Sequence, residues 1–170
     1  MNKSDYNHRK EIIMFQYDIF QKEDGTPELR AVKEFNVSKE EYADDELLSI
    51  IRWCLHIDEI DREEVYVLAT NYNGVPLGIF HVSNGDYKGA SVYHREIAVF
   101  LLLIGAKRFY LYHNHTDNVI EPSADDINVA ISLRQMGQLL DIEFVDNFIL
   151  CKSGWCGSFD SNQEMYEEIF

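Results

Sequence analysis

Short runs of strand-forming residues alternate along this chain with longer segments whose apolar residues recur at helical intervals. The first two runs, 12–20 and 29–37, are separated by a segment that contains Asp24, Gly25 and Pro27. Asp-Gly and proline are turn formers, so these residues predict a β-hairpin. The order of strand-like and helical segments predicts a single mixed α/β (α+β) domain.

The later elements follow the same alternation. Strands are predicted over 65–69, 77–82, 108–113, 142–150 and after Gly154, and helices over about 39–56, 92–105 and 123–140. Asn73-Gly74 joins the first two of these strands in a second hairpin, which we expect at the centre of the sheet. Ser38 and Glu41 have capping-box spacing and place the start of the first helix. A frayed terminal helix is predicted over 162–170.

Composition limits the classes of function. The 170 residues favour one domain with its own core. The 15 basic and 30 acidic residues give a formal charge of −15, so we expect no direct binding to nucleic acid. The first residues do not have the basic, apolar and small-residue pattern of a secretion signal, and the longest apolar run (97–106) is too short to span a bilayer. The three cysteines are an odd number. We therefore expect a cytoplasmic protein with reduced thiols and no membrane contact.

One polar segment carries the residues with the clearest chemical meaning. His113 and His115 lie two apart at the predicted end of a strand, so both imidazoles can face one ion. Ser123 and Asp126 lie at a predicted helix start, where Asp126 can supply a carboxylate oxygen. Asp125 is the neighbouring candidate. A helix rotates it by about 100° from Asp126, so only one of the two can face the histidines.

Two imidazoles and one carboxylate, with a fourth position free for water, are the ligands of a catalytic zinc ion, because structural zinc sites are closed by four protein ligands. Zinc lowers the pKa of such a water to about 7. Each part also has a structural explanation. His-x-His is common as a surface or hydrogen-bonded pair, and Ser123 with Asp126 can form a helix cap.

The spacing His-x-His, seven residues, Ser, two residues, Asp falls on His113, His115, Ser123 and Asp126 and resembles the signature of the JAMM (JAB, MPN+) metalloprotein superfamily. More narrowly, the chain is similar to the RadC family of bacterial proteins over about 63–151. The similarity lies in Ala-Ser-Val-Tyr-His-Arg-Glu-Ile at 90–97, His-Asn-His at 113–115, Pro-Ser at 122–123 and Ile-Glu-Phe-Val-Asp at 142–146.

The resemblance implies a JAB/MPN-like fold, a cytidine-deaminase-like three-layer arrangement with a central mixed β-sheet flanked by helices. The RadC-like JAB/JAMM domain is expected over 57–160. Residues 1–56 are then an N-terminal extension, a β-hairpin and a helix packed on the main domain, and residues 161–170 are a C-terminal tail.

The resemblance also implies roles for the signature residues. His113, His115 and Asp126 bind the metal, which is expected to be one zinc ion. Ser123 helps to orient or stabilise the oxyanion that forms when water attacks a carbonyl.

The superfamily's catalytic glutamate matches Glu64 best, because the acid-apolar-aromatic step that begins there resembles the family pattern. Glu63 is the alternative, and strand alternation makes the two mutually exclusive. The chemistry needs this carboxylate to accept a proton from water and pass it to the leaving amine. A solvated acidic turn over 58–64 is the structural explanation of the same residues.

Two departures from the family pattern affect the expectations. The loop after the second histidine has Thr116, Asp117 and Asn118 where the family usually has Pro-Ser-Gly, so we expect a different and more acidic loop. Asp146 is followed by Asn147 where the family commonly has histidine. This change removes an imidazole beside the metal ligands and predicts weaker metal affinity.

Together these features predict a zinc-dependent hydrolase of amide or isopeptide bonds that acts on a peptide or protein conjugate. The alternative is a non-enzymatic protein-interaction module of a DNA repair, replication or mobile-element complex. Asn114 completes a His-Asn-His tripeptide, but HNH nucleases do not place these residues consecutively, and the acidic chain offers no cationic groove.

Overall fold

The structure, a computed structural model, describes residues 12–37, 41–84 and 92–157. The strands in these ranges are β1 (Ile12–Gln21), β2 (Pro27–Val37), β3 (Glu64–Thr70), β4 (Pro76–Asn84), β5 (Arg108–Asn114), β6 (Glu143–Cys151) and β7 (Gly154–Gly157). The helices are α1 (Asp44–Leu55), α2 (His94–Ile104) and α3 (Ala124–Leu140), and a 3₁₀ turn covers Ile57–Glu59.

The seven strands form one mixed sheet in the order β2-β1-β4-β3-β5-β6-β7. The pairs β1–β4 and β5–β6 are parallel, and the other four pairs are antiparallel. Both predicted hairpins are present, and β3 and β4 lie inside the sheet as expected. The N-terminal hairpin therefore extends the same sheet that contains the later strands.

Helices cover both faces of this sheet. The core of one face, here called the α1 face, includes Leu47, Ile51, Tyr66, Leu68, Tyr110 and Tyr112. The core of the other face, here called the α2/α3 face, includes Val65, Val67, Ile97, Phe100, Leu111 and Leu133. These two cores confirm the predicted three-layer, mixed α/β arrangement.

The first helix begins later than the sequence pattern predicts. α1 starts at Asp44, and residues 41–43 are irregular. The Tyr42 N–H donates to the Gly74 carbonyl oxygen at 3.3 Å, which ties this segment to the turn between β3 and β4 instead of to a helix. Ser38, the first residue of the predicted capping box, lies outside the described residues.

The remaining helices match their predicted positions within a few residues. α3 has 17 residues. Within the described ranges, no helix combines the length and the apolar character needed to cross a membrane. The predicted terminal helix at 162–170 lies outside these ranges.

Gly137 allows α3 to pack closely on β6. A Cβ atom at this position would lie 2.4 Å from the Ile142 carbonyl oxygen and 3.3 Å from a ring carbon of Phe109. The Gly137 carbonyl also accepts the backbone N–H of Asp141 and of Ile142, which ends the helix. The space beside Gly137 is therefore filled by backbone that cannot move away cheaply.

Replacing Gly137 with alanine should destabilise the protein by about 1–3 kcal/mol through overpacking. Alanine in an exposed helix position stabilises a protein by about 1 kcal/mol relative to glycine. The change in the free energy of unfolding expected here has the opposite sign. Urea unfolding measures the difference. Gln138→Ala, on the exposed side of the same helix, is the control and should change stability by less than about 0.5 kcal/mol. A Gly137→Ala protein as stable as the wild type would contradict the close approach.

Candidate metal centre

The end of β5 carries the two histidines. Leu111 packs in the α2/α3 core, and strand alternation directs His113 to the same side. His115 follows the strand directly, and its backbone N–H donates to the Leu150 carbonyl at 3.2 Å. This bond continues the pairing with β6 beyond the end of β5. The His113 ring is buried, and the His115 ring is half-buried.

The start of α3 brings the carboxylate. Ser123 is the N-cap, and its backbone N–H and hydroxyl both donate to Asp126 Oδ2, at 2.8 and 2.6 Å. The Asp126 N–H donates in return to Ser123 Oγ at 3.2 Å. This capping box holds the Asp126 side chain over the first turn of the helix. The structure thus brings Asp126 to the histidines and leaves Asp125 exposed.

Three donor atoms converge where these elements meet. His113 Nε2 lies 3.0 Å from Asp126 Oδ1, and His115 Nε2 lies 3.3 Å from Asp126 Oδ2. The two Nε2 atoms are 3.1 Å apart. Tetrahedral zinc, with bonds of about 2.0–2.1 Å, separates its ligand atoms by about 3.3 Å. These three residues, here called the triad, are the only group of three or more metal-binding side chains found among the described residues.

The second nitrogen of each imidazole has an oxygen acceptor. His113 Nδ1 donates to Asn147 Oδ1 at 3.0 Å, and His115 Nδ1 donates to the Val119 carbonyl at 2.7 Å. With the protons on Nδ1, the Nε2 lone pairs face each other and the Asp126 carboxylate. Three acceptors this close together need a cation or a proton between them. The donor set therefore fits a divalent metal ion.

The electrostatics of the triad agree with this fit. Burial alone would raise the pKa of Asp126, but His113 and His115, which donate to its carboxylate when they also carry a proton on Nε2, hold that pKa well below its ordinary value. The hydrogen bond with Asp126 raises the pKa of His115, and the nearby charge of Glu63 adds to the increase. The site thus favours positive charge next to an ionised carboxylate, and a divalent cation supplies such charge.

The loop between β5 and α3 holds Val119 against His115. Asp117 Oδ1 accepts the Val119 N–H at 3.0 Å. Asn118 has a left-handed backbone (φ 66°), and its Oδ1 accepts the Ser153 N–H at 2.9 Å. Both residues are departures from the family pattern: Asp117 stabilises the loop internally, and Asn118 attaches it to the turn between β6 and β7.

The structure does not bring Glu64, the predicted catalytic glutamate, to the triad. Its neighbour Val65 packs in the α2/α3 core, so strand alternation directs Glu64 to the α1 face. There the carboxylate accepts the Tyr66 hydroxyl at 2.6 Å and pairs with Arg62 at 2.6 Å. Glu64 is 3% exposed. It is a buried acid whose partners all lie across the sheet from the two histidines.

Glu63 lies on the side of the triad instead. The antiparallel pairing of β3 with β5 places Val65 opposite His113. Continued by two residues, the same register sets Glu63 opposite His115. Glu63 is half-buried, and its charge acts on the His115 ring. The alternative acid of the sequence analysis is therefore the one beside the triad.

Two residues have contacts that the sequence analysis did not anticipate. Asn147 is fully buried, and its Oδ1 accepts His113 Nδ1–H. It therefore supplies a contact beside the triad at the position where the family commonly has histidine. A polar residue inside the apolar run of β6 was the available signal. His81 stacks on Tyr66, with ring centroids 4.6 Å apart, and its Nε2 lies 4.0 Å from Glu64. It belongs to the α1 face and not to the triad.

Replacing Asn147 with leucine should weaken zinc binding by about 10- to 100-fold, because His113 loses the acceptor that fixes its tautomer and orientation. Competition with a chromophoric chelator measures the affinity. Asn128→Leu, the same substitution at an exposed position of α3, should leave it unchanged. Equal zinc affinities for Asn147→Leu and wild type would show that the Asn147 contact does not support a metal ligand.

Comparison with known proteins agrees with the fold. A UPF0758 protein of Clostridium kluyveri is 32% identical over 89 residues, which cover 52% of this chain and 39% of that protein. A UPF0758 protein of Acidithiobacillus ferrooxidans is 39% identical over 66 residues, which cover 39% of this chain and 30% of that protein. The chain thus spans less than half the length of these relatives. A sequence model described as RadC-like JAB domain matches residues 45–165, which include the triad and most of the sheet, and the chain therefore belongs to the RadC-like JAB domain family.

Proposed function

We propose that this protein is a zinc-dependent hydrolase that cleaves an amide bond in a peptide or an isopeptide bond in a protein conjugate. The observation that carries the proposal is the triad. Two Nε2 atoms and one carboxylate converge within about the spacing of zinc ligands, and no fourth protein ligand accompanies them among the described residues. A three-ligand set of this kind leaves a position for water, as catalytic sites require.

In this proposal His113, His115 and Asp126 hold the ion. When bound, zinc supplies Lewis-acid chemistry: it acidifies a water molecule and polarises a carbonyl group. Asn147 and the Val119 carbonyl keep the two imidazoles in the tautomer that binds a metal. Ser123 keeps the carboxylate of Asp126 in place.

Glu63 is the proposed general base and acid. Two observations support this role: the Glu63 charge acts on the His115 ring, and the β3–β5 register, continued by two residues, would set Glu63 opposite His115. Its half-burial leaves it accessible to a substrate. A carboxylate there can accept a proton from the attacking water and then donate it to the leaving amine nitrogen. Glu64 cannot take this role without breaking its contacts with Tyr66 and Arg62 on the α1 face.

Ser123 is proposed to stabilise the oxyanion. Its side chain is exposed, and its hydroxyl donates to Asp126 Oδ2. The backbone N–H of Ser123 donates to the same oxygen. The hydroxyl can therefore turn towards a developing oxyanion while the backbone bond still holds Asp126. A donor aimed at developing charge acts mainly in the transition state.

Glu63→Gln should lower the rate of zinc-dependent peptide cleavage by about 10²- to 10⁴-fold, because glutamine cannot transfer the proton. Zinc affinity should stay close to that of the wild type. Glu64→Gln is the matched control, since it makes the same change one residue away on the other face of the sheet. It should retain most of the cleavage rate at a temperature where the variant is folded.

The measurement is cleavage of a pool of internally quenched peptides and of a lysine isopeptide conjugate, with and without a chelator. A wild-type protein that binds zinc but cleaves none of these substrates would contradict the hydrolase proposal. If Glu64→Gln is inactive and Glu63→Gln is active, the assignment of the base is reversed.

Ser123→Ala should lower kcat by about 100-fold with little change in KM, because the hydroxyl acts on charge that develops only in the transition state. The variant should also lose about 1 kcal/mol of stability with the helix cap. Steady-state kinetics and urea unfolding measure the two effects. An unchanged kcat together with the lost stability would restrict Ser123 to its capping role.

A further inference from the structure

Asn114 lies between the two ligand histidines in sequence but points away from them. Strand alternation directs it to the α1 face, and it is 2% exposed. Its Oδ1 accepts the Glu64 backbone N–H at 2.7 Å. Its Nδ2 donates to the Arg62 carbonyl at 2.8 Å and to the Ile60 carbonyl at 3.4 Å. These three contacts are here called the Asn114 clamp.

The Asn114 clamp extends the register of β3 and β5. The last backbone pair of this ladder is Val65 with His113. Glu64 is the next residue, and it is joined to Asn114 through the side-chain amide, so the two chains stay side by side for one more position. The position after that sets Glu63 opposite His115.

The residues on both sides of Glu63 are fixed to the α1 face. The Arg62 carbonyl and the Glu64 N–H, the backbone groups that flank Glu63, are both bonded to Asn114. The Glu64 carboxylate is held by Tyr66 and Arg62. Because neighbouring side chains in extended backbone alternate, a chain fixed in this way directs Glu63 to the triad side.

We propose that Asn114 is a positioning residue that holds Glu63 beside the triad. The inference rests on the proposed function for its catalytic consequence, whereas the contacts themselves do not depend on it. The end of β5 thus sets both parts of the site. His113 and His115 supply metal ligands on one face, and Asn114, on the other face, fixes the segment that contains Glu63.

The clamp needs an asparagine because it requires an acceptor and a donor on one short side chain. The amide oxygen accepts and the amide nitrogen donates. An ionised aspartate of the same size can accept the Glu64 N–H but has no hydrogen to donate to the carbonyls. An alanine leaves the buried Glu64 N–H and the two partly buried carbonyls without this partner, which destabilises the clamped arrangement of the segment.

The first test measures the clamp without any substrate. Backbone amide hydrogen exchange of the zinc-loaded full chain should show loss of protection at Glu64 in Asn114→Ala. Asn114→Asp should keep protection at Glu64 and loosen the segment before it, and this variant serves if Asn114→Ala does not fold. Tyr112→Phe is the control, because its buried hydroxyl on the same face of β5 has no hydrogen-bond partner. Unchanged protection at Glu64 in Asn114→Ala overturns the proposal.

The second test asks whether Asn114 acts through Glu63. Asn114→Ala should lower kcat for a cleaved quenched peptide by about 100-fold, the effect of misplacing a reacting group by about 1 Å. Its zinc affinity should match that of Tyr112→Phe, since the Asn114 side chain touches neither imidazole. In the Glu63→Gln background, Asn114→Ala should cause no further loss of kcat, because the group that it positions is already gone.

The outcomes separate this inference from the function on which it rests. An equal loss of kcat from Asn114→Ala with and without Glu63→Gln overturns the positioning role, and so does a parallel loss of zinc affinity. A wild-type protein that cleaves no test substrate contradicts the proposed hydrolase. In that case the exchange experiment decides whether Asn114 fixes this segment.

Discussion

The antiparallel pairing of β3 with β5 is the constraint on which the rest of the site depends. Its register sets Val65 opposite His113. This one pair determines the face of the sheet to which each neighbouring side chain points. The two histidines share the α2/α3 face with the start of α3. The buried acid Glu64 and its partners share the α1 face. A shift of β3 by one residue along β5 would exchange the β3 side chains between the two faces and turn Glu63 away from the triad.

Each residue of the triad is fixed by hydrogen bonds to another part of the chain. β6 supplies Asn147 to His113, the loop after β5 supplies the Val119 carbonyl to His115, and the N-cap of α3 supplies two donors to Asp126. Each partner comes from a different segment of the chain. Rigid partners of this kind lower the cost of bringing three mutually repelling acceptors together, and these contacts do not use either Nε2 atom or Asp126 Oδ1. The helix cap and the proposed metal ligand are therefore the same carboxylate, so the structural explanation of Asp126 is compatible with the proposed one.

Most of the fold was predictable because its signals are local. The Asp24-Gly25 and Asn73-Gly74 turns, the apolar periodicity and the order of elements predicted two hairpins and a mixed α/β domain, and the family resemblance implied the three-layer arrangement; the structure confirms both. The start of α1 was not predictable, because the segment before it is tied to the distant residue Gly74. The choice between Glu64 and Glu63 depended on which residues of β3 face each side of the sheet. A pattern of acidic, apolar and aromatic residues does not determine this, because it depends on pairing with a strand about 50 residues later in the chain.

The sequence by itself determined both histidines of the triad and the helix start that supplies its carboxylate, because His-x-His places two imidazoles on one side of a strand and the Ser-x-x-Asp spacing is that of a helix start. Only the tertiary structure decided between Asp125 and Asp126, directed Glu63 and not Glu64 to the triad, and gave Asn147 and Asn114 their contacts. These outcomes depend on hydrogen bonds and strand register between segments far apart in the chain. Local propensity carries no information about such contacts, because they exist only once the sheet has formed.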